Sequence, residues 1–110
     1  MKTKMETQIK LHLPLLEYIM GLSPEKRSGF LKVLKNKNIE FIFDLLLNLD
    51  RNRLPITKEI VSKLLPYSKV IHSLIKPKKS LIRRRRELIE KDYFHLLISP
   101  LIPVLHRMIQ

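Results

Sequence analysis

Seven cations and no acid fall within residues 76–86: Lys76, Lys78 and Lys79, then Arg83, Arg84, Arg85 and Arg86. Guanidinium forks and ammonium groups are the side chains that hold phosphate, and a run of them suits a polyanion. Lys63 and Lys69, just upstream, extend the run as support. The chemistry is charge neutralisation. Each phosphate paired with a cation releases condensed counterions, so affinity falls steeply with salt. A plainer reading is a solvated basic face that aids solubility. A short Lys/Arg cluster also has the form of a nuclear-import signal. Tyr67 is the nearest aromatic, so base stacking and a single-strand preference are not indicated. No base-reading motif is visible.

Other chemistry is sparse. His12, His72, His95 and His106 have no metal-ligand spacing and no accompanying carboxylate cluster, so structural or surface roles are expected. Asp44 stands alone in an apolar stretch. It is expected on an exposed edge or against a cation, because general acid–base catalysis needs two positioned groups. The serines lie in no nucleophile motif. Cysteine is absent, which excludes thiolate nucleophiles, disulfides, iron–sulfur clusters and cysteine-ligated zinc. Gly21 and Gly29 are the only glycines, too few for a glycine-rich phosphate loop. The expectation is a non-enzymatic protein with no cofactor and no metal.

The elements that must position the cations follow from composition and spacing. The chain has 110 residues, enough for one domain. It is 45% apolar, mostly Leu and Ile with no Trp, a balance that favours helices. Its net charge is +12, with +4 on residues 1–56 and +8 on residues 57–110. Such an excess repels itself unless a polyanion neutralises it, and nucleic acid and anionic membrane surfaces are the usual counterparts. The polar start is not a secretory signal. The best apolar run, residues 96–105, is about half the ~20 residues of a membrane span.

Residues 1–8 read as a loose basic tail. Ile9, Leu13, Leu16 and Met20 share a face and predict a helix over about 9–20, with Gly21 as its stop; Pro14 is awkward inside it and suits the first turn of a helix that begins nearer His12 or Leu13. Ser23-Pro24-Glu25 starts a second helix, reaching about Lys35 with Phe30, Leu31 and Leu34 inward. Residues 39–49 are apolar around most of the circumference, so this third helix belongs at the centre. Thr57 caps a fourth helix, and Pro66 predicts a kink near Leu65. Ser80 caps a fifth, about 81–91, with i,i+4 pairs Arg83–Glu87 and Arg86–Glu90.

The segment 93–110 is apolar, broken by Pro100 and Pro103, and terminal. Termini are usually polar unless docked. It either completes the core or presents Phe94, Leu96, Leu97, Ile98, Leu101, Ile102 and Leu105 to a membrane or a partner.

One resemblance spans roughly residues 31–106. It rests on Lys63-Leu64-Leu65-Pro66-Tyr67, Leu74-Ile75, Lys76-Pro77-Lys78-Lys79, Ser80-Leu81-Ile82-Arg83-Arg84-Arg85-Arg86, and Phe94-His95-Leu96-Leu97-Ile98-Ser99-Pro100-Leu101. Upstream, Leu34-Lys35-Asn36-Lys37-Asn38-Ile39 and Asn52-Arg53-Leu54-Pro55 contribute. The chain resembles the small basic protein of Polinton/Maverick-type elements and adintovirus-like double-stranded DNA viruses. That resemblance implies a viral or transposon origin and a place among minor virion or core proteins beside the genome. It brings no catalytic or binding residue. The family's Gly-Gly pair before the tail is here Asp92-Tyr93, which favours a docked tail over a flexible hinge. The family's more cationic middle helix is here Pro66, Val70, Ile71 and His72, which moves the weight of DNA contact onto residues 76–86.

The expected molecule is all-α, a compact bundle of four to five short helices. Residues 1–8 form the tail, 9–92 the helical domain and 93–110 the apolar segment. The expected function is sequence-independent binding of nucleic acid, most simply duplex DNA, in a virion and a host nucleus. Two other readings stand beside it. One is a membrane-active virion protein using the basic helix and the apolar tail on anionic lipid. The other is a helical module that grips a capsid or host protein.

Overall fold

A computed structural model describes residues 4–110. Among them every regular element is helical and no strand occurs. The fold is all-α, and its radius of gyration, 13.2 Å, is that of a compact chain of this length.

Helix α1 (Lys4–Met20) buries Ile9, Leu13, Leu16 and Ile19. It begins before residue 9, so residues 4–8 of the expected loose tail are helical; residues 1–3 lie outside the described residues. Met5 packs against the core, and Glu6 in the first turn complements the helix dipole. Pro14 therefore sits inside the helix rather than at its start. It is on the exposed side, where water can serve a backbone group that loses its helical partner.

Helix α2 (Pro24–Val33) starts as its sequence dictates: Ser23 Oγ accepts from the Lys26 amide, and Pro24 occupies the first turn. Helix α3 (Asn36–Asp50) buries Ile39, Phe41, Ile42, Phe43, Leu45, Leu46 and Leu49 and packs against both α1 and later helices, so it is the central element. Asn52, at φ 57°, turns the chain out of α3, and the Arg53 amide returns to the Asn48 carbonyl at 2.9 Å.

Pro66 divides the next segment into α4 (Lys58–Leu64) and α5 (Ser68–Leu74), joined by a 3-10 turn. The kink lies where the proline removes a backbone donor. Helix α6 (Leu81–Ile89) carries the arginines, and Ser80 Oγ caps it by accepting from the Arg83 amide at 3.2 Å. The chain leaves α6 through two left-handed residues, Lys91 and Asp92, at φ 53° and 55°. That conformation costs about 1–2 kcal/mol per residue bearing a Cβ, and Asp tolerates it better than most.

The C-terminal segment is itself helical: α7 (Tyr93–Ile98), a 3-10 turn through Pro100, and α8 (Ile102–Met108) with Pro103 in its first turn. Pro100 interrupts the segment as Pro66 does the earlier one, by removing a backbone donor just after α7, whereas Pro103 sits in the first turn of α8, where a proline is tolerated. Helix α7 packs on α6, and α8 on α1. Phe94, Leu97, Ile98, Leu101, Val104 and Leu105 all lie in the core. The helical unit thus extends beyond residue 92.

Candidate nucleic-acid interface

An α-helix turns about 100° per residue, so four consecutive arginines cannot share one face. On α6 the core takes Leu88, and the guanidinium groups fan out around the remaining circumference. Arg83 and Arg86, one turn apart, are exposed. Arg84 turns inward along the flank and places its guanidinium carbon 4.8 Å above the Phe43 ring of α3. This is a cation–π contact between helices, with Arg84 Nε buried and without a hydrogen-bond partner. Arg85 leaves by the opposite flank. It donates to the Leu31 and Leu34 carbonyls, both at 2.7 Å, and to Asn36 Oδ1 at 2.8 Å. Those carbonyls end α2, so Arg85 acts as a C-terminal cap supplied from another helix.

The lysines divide in the same way. Lys63, Lys69, Lys76 and Lys78 are exposed. Lys79 is half-buried, pairs with Glu87 Oε2 at 2.9 Å and donates to Ser73 Oγ. The expected Arg83–Glu87 and Arg86–Glu90 ion pairs are absent among the described residues. Glu87 turns instead to Lys79, which reaches it from the loop before α6. Arg83 and Arg86, on the outward face of α6, stay outside any ion pair among the described residues. Lys79, Arg83 and Arg86 line a shallow depression of about 370 Å3 with Tyr93 and Val70, and Glu87 and Glu90 temper its charge.

Burial works to raise the Glu87 carboxyl. The hydrogen bonds from Ser73 and Lys79, and the charges of Lys79 and Arg83, outweigh it and hold the group below its usual 4.5. A carboxyl depressed in the folded state stabilises the fold above its unfolded pKa, and that contribution disappears as pH falls through the folded value. Glu87→Gln is therefore expected to cost roughly 1 kcal/mol at pH 7. The gap from the parent should close below pH 4.5, as read from urea unfolding at each pH.

The tail residues are not displayed. Phe94, Leu97, Ile98, Leu101 and Leu105 are buried, and Leu96 and Ile102 are half-buried. Contact with a membrane or partner through them would require the segment to leave the core. No helix of the described residues is long and apolar enough to cross a membrane.

The histidines stay outside any ligand cluster among the described residues. His72 meets Asp50 at 2.9 Å and His106 meets Glu17 at 2.6 Å, both near the surface. His12 stacks on Phe41 with ring centroids 4.2 Å apart. Asp44 is exposed.

Sequence patterning passed over Arg27. Only 4% exposed, it donates to the Ile19, Met20 and Leu22 carbonyls at 3.1, 3.2 and 2.6 Å. Its Nη1 meets Asp92 Oδ2 at 2.5 Å. It thereby caps α1, lies on α2 and fixes the strained turn before α7. One signal could have found it: Arg27 is four residues before Leu31, on the same apolar stripe of α2.

Comparison with known proteins adds no relative. No family model, curated protein or solved structure matches the chain.

Proposed function

We propose that this protein binds nucleic acid without sequence specificity, through Lys63, Lys69, Lys76, Lys78, Arg83 and Arg86, with Arg84, Arg85 and Lys79 serving the fold that presents them. The observation that supports this is the state of those six cations. All are exposed, and none is held in an ion pair among the described residues. They lie in the more basic half of the sequence, where residues 57–110 carry +8 of the chain's net charge of +12. Binding proceeds by counterion release, and no base edge is read. The sequence resemblance supplies a setting for such a protein, beside a packaged double-stranded DNA genome.

The test is a salt titration of binding to random duplex DNA. Replacing Arg83 and Arg86 together by Gln should weaken binding to all duplexes alike. It should flatten the slope of log affinity against log salt by about 2, because each neutralised phosphate adds roughly 0.9 to that slope. Replacing Arg84 and Arg85 together should leave the slope within about 0.5 of the parent and lower the thermal midpoint instead. Unchanged affinity in the first variant would sink the proposal.

A further inference from the structure

A second surface lies away from the outward face of α6. Helices α1 and α2 and the start of α3 enclose an open groove of about 650 Å3. Its floor is Leu15, Phe30 and Leu34. Its two ridges are capped by Leu11 and Val33, which are 69% and 78% exposed. Single exposed apolar residues are ordinary on a protein surface. These two face one channel from opposite helices, with further apolar surface between them. Leu11 and Leu15 are one turn apart on α1, and Phe30 and Val33 one turn apart on α2. The channel therefore runs between two helical ridges, the shape that accepts a third helix through anchors at i, i+4 and i+7.

The charge of the lining selects the occupant. Lys35 and Lys37 stand at one end, and no carboxylate lines the groove. The first turn of α3 carries no acid either. A second copy of a +12 chain would bring like charge to this rim, which disfavours self-association here. A phosphate backbone could pair with Lys35 and Lys37 at one end, but it would leave the apolar surface between Leu11 and Val33 uncovered. We infer that the groove between α1 and α2 is a docking site for an acidic amphipathic helix of another protein, with apolar anchors between Leu11 and Val33 and carboxylates on Lys35 and Lys37.

The inference stands apart from the nucleic-acid reading, and one experiment separates them. A displayed library of helical peptides of about 16 residues is selected on the full-length protein in excess random duplex DNA. Each peptide carries Leu, Ile or Phe at three anchors and acidic, basic or neutral residues elsewhere. Acidic sequences with the anchor spacing intact should be enriched despite the DNA. Val33→Glu and Leu11→Glu, both at exposed positions, should each weaken the selected peptide on the order of tenfold, without moving the thermal midpoint or duplex affinity. Lys35→Gln with Lys37→Gln should remove most of the salt dependence of peptide binding. Enrichment of basic peptides, no enrichment, or equal binding by a scrambled peptide of the same composition would overturn the inference. So would a concentration-dependent dimer that Val33→Glu abolishes, since the groove would then belong to a second copy.

Discussion

A chain ending at Asp92 should show no cooperative unfolding transition and no fixed tertiary circular dichroism signal. The truncation removes Phe94, Leu97, Ile98, Leu101, Val104 and Leu105, all 0% exposed. Each such side chain contributes about 1.5–3 kcal/mol by burial. Six of them amount to about 9–18 kcal/mol, comparable to the ~5–15 kcal/mol by which a domain is normally stable. The truncation also opens the faces of α1 and α6 on which α8 and α7 pack. A truncated chain that still unfolds cooperatively would mean that residues 93–110 are an appendage rather than core, and would reopen their use on a membrane. Liposome leakage by the full chain in its folded state would point the same way.

Arg27→Ala should cost about 3–5 kcal/mol, because it strips a buried guanidinium from three carbonyls, each costing ~1–3 kcal/mol if left unserved, and from the partly exposed Asp92. Its guanidinium serves the Ile19, Met20 and Leu22 carbonyls as well as Asp92. Removing it leaves the end of α1 short of donors. It also frees Asp92 from the partner that holds it in the left-handed region. The midpoint of urea unfolding should drop by about 2 M. In a double-mutant cycle, Asp92→Ala should cost far less on the Arg27→Ala background than alone. A destabilisation below about 1 kcal/mol would show that water replaces the arginine at these carbonyls.

Much of the framework could be read from local chemistry. Ser23, Thr57 and Ser80 cap α2, α4 and α6 because a hydroxyl before a helix satisfies an orphan amide wherever the chain goes next. Pro66 breaks its helix because the clash is with the preceding turn. The start of α1 was less legible. Lys4–Gln8 carries little periodic apolar signal, and its helicity follows from continuity with Ile9 and the packing of Met5. The cationic run misleads in a different way. Adjacent letters suggest one surface, yet the 100° step of a helix separates Arg83 and Arg86 from Arg84 and Arg85. Where each flank then points depends on neighbours: Phe43 for Arg84, the end of α2 for Arg85.

By itself the sequence determined that the chain is helical, where most helices begin and break, and that its surface is strongly basic. Those properties depend on residue type and on neighbours within a turn or two. Only the tertiary structure decided which cations remain free, that Arg27 is buried beside Asp92, and that the apolar C-terminus fills the core. Each of these depends on residues far apart in the chain, and a side chain has no free or paired state until the opposing helix is in place.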